Sequence, residues 1–186
     1  SLHIEGRIFM NNVSYTICDT NLKEVIASSH DDIMVLIIPF SDPIAEEPDI
    51  QSACVTSLNN GFSITSLFDT LKTIKKHPTL IFKTYANVVY SYGKERFISL
   101  CKEVGISGLI IPDLPYEERF EFEDVCDKND VTLVRIVASN CLKRIPKIVL
   151  DAKNYIYLSS RPNDDVSKAI EEIQKYTNIP NIKDRQ

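Results

Sequence analysis

The chain has 186 residues and a formal net charge of −5, with 44% apolar and 25% charged residues. That balance predicts one soluble globular domain, long enough to bury roughly 70% of the surface its unfolded chain exposes. It excludes a broad electrostatic grip on nucleic acid, and no apolar run approaches the ~18 residues of a membrane span.

Residues 1–10 have no long apolar core, so they do not read as a signal peptide. Ile4-Glu5-Gly6-Arg7 spells a protease recognition sequence common in expression tags, and it equally suits a natural helix-to-strand turn. Residues 1–7 are therefore set apart as a tag or N-terminal extension, and 8–186 are read as a single domain. A possible first strand spans 8–17, followed by a short helix over 22–29. Residues 33–38 (Ile-Met-Val-Leu-Ile-Ile) form the continuous apolar run expected of a strand buried on both faces. Ile64, Leu67, Phe68, Leu71 and Ile74 make an i, i+3, i+4, i+7 stripe, which predicts a helix packed on a sheet. A third strand begins at 80–82 and ends near Tyr85, and 94–103 is helical.

Further on, 108–111 reads as strand, 117–129 as helix, 132–137 as strand, 142–152 as helix and 155–159 as strand. Asp164 or Asp165 can cap a helix carrying Val166, Ala169, Ile170 and Ile173. Residues 179–182 start one more strand. The count is about seven strands and six following helices, alternating as in parallel βα units. Periodicity alone leaves two architectures open: a doubly wound sheet, or a (β/α)8 barrel lacking its end.

Cys18, Cys54, Cys101, Cys126 and Cys141 are odd in number and form no C-x-x-C pair, which predicts a reduced, cytoplasmic protein with most of these thiols packed. His3, His30 and His77 are far apart and lack ligand spacing, so no metal site is expected.

The most specific stretch is Ile38-Pro39-Phe40-Ser41-Asp42-Pro43-Ile44-Ala45-Glu46-Glu47-Pro48-Asp49-Ile50-Gln51. It resembles the signature P-F-S-D-P-[LIV]-A-D-G-P-x-I-Q of the tryptophan synthase α subunit. Thr84-Tyr85-Ala86-Asn87-Val88-Val89-Tyr90-Ser91-Tyr92-Gly93, Gly108-Leu109-Ile110-Ile111-Pro112-Asp113-Leu114-Pro115-Tyr116-Glu117-Glu118 and Tyr155-Ile156-Tyr157-Leu158-Ser159-Ser160-Arg161 resemble further family segments, in the family's order. The resemblance runs from about Ile8 to Pro180. It implies an α/β fold, a (β/α)8 TIM-barrel-like domain, here incomplete with about seven strands.

The resemblance also implies a lyase that splits indole-3-glycerol phosphate into indole and glyceraldehyde 3-phosphate. That retro-aldol cleavage must protonate carbon 3 of the indole and take the ring-nitrogen proton, work suited to two carboxylates. The family's strand glutamate position is occupied by Val35, which carries no proton. Its aspartate position holds Glu46, one methylene longer, and the glycine after it is Glu47. The phosphate in the family sits on backbone N–H groups of glycine-rich loops. Here no glycine follows Gly108. Pro162-Asn163-Asp164-Asp165 stand where the family expects G-V-T-G. Lys183-Asp184-Arg185-Gln186 stand where it expects a G-F-G turn to follow.

Tyr85, Ile110, Asp113 and Tyr157 correspond to residues lining or supporting the family's indole site. Asp42, Pro43 and Asn87 fall in the segments that meet the family's β subunit, and turn chemistry alone also explains them. No cofactor is expected in this chain; pyridoxal phosphate belongs to the presumed β partner. Seven strands would leave two edges unpaired, which invites self-association or a covering segment. Three functions remain open: a noncatalytic subunit that docks on and tunes the β subunit, a working lyase with acids displaced to Glu46 or Glu47 or a fragment of one, and a decayed barrel protein or small-molecule binder with no tryptophan role.

Overall fold

The computed structural model describes residues 12–42, 47–161 and 163–183. Residues 1–7, Pro43 and Glu46 lie outside the described residues. The elements run β1 (Val13–Ile17), α1 (Leu22–Ser28), β2 (Ile33–Ile37), α2 (Pro48–Asn59), α3 (Ile64–Lys72), β3 (Thr79–Lys83), α4 (Ala86–Tyr92), α5 (Lys94–Glu103), β4 (Ile106–Ile110), α6 (Phe120–Lys128), β5 (Thr132–Leu133), β6 (Arg135–Ala138), α7 (Ile145–Val149), β7 (Ile156–Ser159), α8 (Ser167–Gln174) and β8 (Asn181–Lys183). None of these helices is long and apolar enough to cross a membrane.

Every strand pairing is parallel, in the orders β1-β2-β3-β4-β5 and β6-β7-β8. β5 and β6 are two halves of one strand path. The first half pairs with β4, Val134 N–H donates to Leu109 O at 2.9 Å, and the second half pairs with β7. Counted as paths, the strands number seven among the described residues, as the sequence predicts.

Alternation along the strands sends side chains to two dry faces. Met34, Leu36, Leu80, Phe82 and Leu109 point outward against Leu67, Phe68 and Leu71 of α3, Phe97 of α5 and Phe122 of α6. Ile33, Val35, Ile81, Ile110, Val134, Tyr157 and Ile182 point inward and meet one another. Burying one such aliphatic side chain contributes about 1.5–3 kcal/mol, so the two-faced burial explains why β2 reads as an unbroken apolar run. Four of the five cysteines are buried in these layers, and burial pushes the Cys126 thiol up to about 12.

Inward contacts from β1 to β8 curl the sheet into a barrel. Among the described residues no ladder joins β1 to β8. Instead the Tyr15 hydroxyl donates to the backbone oxygen of Lys183 at 2.6 Å. A ladder would hold the backbones about 4.8 Å apart; among the described residues this edge is spanned by a side-chain hydrogen bond instead. Tyr15→Phe should lower stability by about 1 kcal/mol, read as a smaller urea midpoint at unchanged slope. An unchanged midpoint would mean that this contact carries no stability.

Several boundaries depart from expectation. The described part of the first strand begins at Val13. The sequence pattern predicts no helix over 48–59, yet α2 forms there: Pro48 takes the first helical position, where its missing N–H is harmless, and Ile50, Cys54 and Ser57 form the buried stripe. The 87–93 segment, expected as a turn, is mostly α4. Gly93 at φ +97° makes the corner between α4 and α5, a backbone conformation that favours glycine. The helices expected at 117–129 and 142–152 each begin with a separate 3-10 turn, at Tyr116–Glu118 and Leu142–Arg144.

Candidate functional site

The C-terminal ends of the strands are where a parallel βα barrel places its working residues. Val35 lies inside the barrel and is fully buried. Its register partners are Tyr15 on β1 and Ile81 on β3, and it packs in one interior cluster with Ile33, Ile81, Ile110 and Tyr157. Ile110 and Tyr157, both expected to line a pocket, belong to the same interior cluster. No carboxylate comes from Val35's position.

One step nearer the mouth is a residue the sequence reading missed. Lys83 is 5% exposed. It pairs in register with Ile37 and Ile110, and its Nζ lies 5.6 Å from the centroid of the Tyr157 ring. The signal was present in Leu80-Ile81-Phe82-Lys83: alternation puts Lys83 on the face of Ile81.

Tyr85 and Asp113 occupy the rim. Tyr85 is the extended residue before α4, and its ring lies 5.0 Å from that of Phe40. Asp113 Oδ1 accepts the N–H of Ala86 at 2.9 Å. It therefore satisfies one of the N–H groups left open at the start of α4 and ties the loop after β4 to that helix. Asp42 and Asn87 are exposed. Asn87 shares an open groove of about 440 Å³ with Pro39, Phe40 and Ser41 after β2, Phe62 before α3 and Val88 of α4. Glu47, also exposed, immediately precedes α2.

The loop after β7 is fastened by carboxylates. Asp164 Oδ2 accepts the backbone N–H of Arg161 at 3.0 Å and the hydroxyl of Ser139 at 2.8 Å. These two bonds, the backbone one foremost, hold the Asp164 carboxyl below the usual carboxylate range. Asp165 Oδ1 accepts the N–H of Ser167 at the start of α8, at 3.0 Å. An aspartate at the head of this helix was expected. N–H groups already given to carboxylates are not offered to a phosphate.

A second charged cluster lies on the outer face of β6. Arg135 pairs with Glu123 of α6 and lies 3.5 Å from Asp151; Arg119 pairs with the same two carboxylates at 3.2 Å each. The Arg119 guanidinium stacks 3.7 Å from the Tyr116 ring centroid. Burial opposes ionisation of Asp151, but Arg135 and then Arg119 outweigh it and hold that carboxyl below its usual range.

Fold and site together define a parallel βα barrel with a groove beside its working mouth and no carboxylate on β2. The family model for the tryptophan synthase alpha chain matches residues 17–183. A tryptophan synthase alpha chain of Lachnospira eligens is 36% identical over 163 residues, covering 80% of this chain and 62% of that protein. One of Campylobacter jejuni subsp. doylei is 33% identical over 186 residues, covering 91% of this chain and 75% of its own length. The solved tryptophan synthase subunit alpha from Campylobacter jejuni superposes with a TM-score of 0.83 at 31% identity, over 92% of this chain and 76% of that one. The subunit in a tryptophan synthase complex from Pyrococcus furiosus, 23% identical, shares the fold with a TM-score of 0.82 over 92% of this chain and 76% of its own. The chain belongs to the tryptophan synthase alpha chain family. It spans a little under two thirds of the length of the Lachnospira relative.

Proposed function

We propose that this chain is an α-type subunit of tryptophan synthase that docks on a pyridoxal-phosphate-dependent β subunit and tunes it, having lost most or all indole-3-glycerol phosphate cleavage. The observation that carries the loss is Val35, fully buried in an apolar ring at the family's acid position. The carboxylate-fastened loop after β7 supports the same reading, because the family's glycines there serve the phosphate. Glu46, the remaining acid of the signature, lies outside the described residues.

Docking is supported by the groove between the β2 loop and α4. It has an apolar floor from Pro39, Phe40, Phe62 and Val88, and Asn87 is exposed beside it. A few well-placed contacts on an apolar floor carry most of an interface's affinity. The Pyrococcus furiosus relative was solved as an α2β2 complex, and a partner of that kind is the one proposed here.

Calorimetry of this chain with the β subunit from the same source tests docking. Binding should be saturable. Asp42→Ala and Asn87→Ala should each weaken it by about 1 kcal/mol or more, roughly fivefold, while Val35→Ala inside the barrel should leave it unchanged. No heat of binding at high micromolar concentration would refute docking.

A further inference from the structure

A small cavity of about 50 Å³ lies between the β5–β6 strand path and the segment after β4. Ile111, Leu114, Tyr116 and Leu133 line it with apolar surface, and Arg119 and Arg135 bring the charge. That volume is several times what one water needs, and far below the hundreds of Å³ of a pocket for an organic ligand. The two arginines are 7% and 4% exposed, and they are used unequally. Arg119 meets a partner with each of its three nitrogens. Nη1 donates to the backbone oxygen of Tyr116 at 2.8 Å, Nη2 donates to Asp151 at 3.2 Å, and Nε faces Glu123 Oε2 at 3.2 Å. Arg135 reaches Glu123 and Asp151 through Nη2. Among the described residues its buried Nε has no acceptor. A guanidinium carries five N–H donors, and a buried donor left without an acceptor is costly.

We propose that this cavity is a site for one small inorganic anion of halide size, held by Arg135 and bordered by Arg119. Two carboxylates already offset the two guanidinium groups, but not evenly. The Asp151 side chain is 49% exposed, against 9% and 4% for the arginines, so water screens its charge far more than theirs. The buried side of the cluster keeps a positive excess. Lys147, 5.4 Å from the Tyr116 ring centroid, adds nothing net, because Glu117 is its partner. Apart from the Tyr116 hydroxyl, the lining side chains offer donors or apolar surface. A monatomic anion accepts N–H donors from any direction and has no hydrogen of its own to place. A water there would turn its hydrogens towards aliphatic side chains, and buried waters need two to four polar partners. The bound ion would brace the point where β5 gives way to β6 and link stability to halide by mass action. The site lies on the outer face of the barrel, so the inference is independent of docking and of cleavage.

Chloride and bromide are the probes. In solution the unaltered chain should broaden the chloride-35 magnetic resonance line saturably, and bromide should reverse the broadening while gluconate, too large for the cavity, should not. Arg135→Met should remove most of the broadening, and Arg135→Lys, which keeps the charge, should keep part of it. Crystals of the unaltered chain soaked in sodium bromide should show an anomalous peak within hydrogen-bonding reach of Arg135. That readout needs no variant to fold. Water in the cavity with no bromide peak would overturn the proposal. So would broadening that survives Arg135→Met, or a bromide peak without any saturable broadening, which would mean an adventitious ion only.

Discussion

Purified chain should release no indole from indole-3-glycerol phosphate at ordinary enzyme rates, alone or with a β subunit. Carbon 3 of the indole must receive a proton in the cleavage. A positioned acid typically supplies 10²–10⁴-fold of rate, roughly 3–5 kcal/mol. Val35 cannot supply it, and its register neighbours Tyr15 and Ile81 include no carboxylate. Val35→Glu alone should not restore turnover. The new carboxyl would stand among Ile33, Ile81 and Ile110, where burial favours its neutral form. The backbone N–H groups of Arg161 and Ser167 would still be held by Asp164 and Asp165. Indole release is the readout, and turnover that disappears in Glu46→Gln would show that the acid had moved rather than vanished.

The largest loss of stability from a polar substitution should come at Glu123. Its carboxylate serves both Arg119 and Arg135, and the two guanidinium side chains are only 9% and 4% exposed. Removing one member of a buried ion cluster strands the others and typically costs about 3–5 kcal/mol. Glu123→Ala should therefore lower the urea midpoint sharply. Exchanging the group for apolar residues, Glu123→Leu with Arg135→Met and Arg119→Met, should recover most of the loss.

The cluster also fixes a pH dependence. The Asp151 carboxyl is held below its unfolded value. Its contribution is thus fully present above the unfolded value, about 3.9, and is lost as pH falls through the lower folded value. Urea midpoints measured downward from pH 5 should show that loss, and Asp151→Asn should remove its share. An unchanged midpoint in Glu123→Ala would contradict this account of the cluster.

How much was legible in the sequence followed from local pattern. Strands buried on both faces announce themselves as apolar runs, so β2 and β7 fell where expected. The i, i+3, i+4 stripe gave α3, and Asp164 or Asp165 was recognisable as a helix-head acceptor, a role Asp165 fills. The motif 38–51 brought the family, and with it the barrel that periodicity alone could not choose. What stayed hidden depended on distance along the chain. The Tyr15–Lys183 contact joins residues 168 apart. The ion cluster gathers Arg119, Glu123, Arg135 and Asp151 from three segments, each an ordinary surface charge when read alone. α2 was lost inside a motif read for its loop chemistry. Lys83 was missed for another reason: a charge at a strand's end usually points to water, and only the curl of the sheet turns this one inward.

The central claim is a subunit that docks without cleaving, and β-subunit turnover of indole and serine tests it most directly. With increasing amounts of this chain the rate should change saturably, Asp42→Ala and Asn87→Ala should shift the saturation to higher concentration, and Val35→Ala should follow the unaltered chain. A β-subunit rate that does not respond to this chain up to high micromolar concentration would contradict the account and leave a barrel without a tryptophan role.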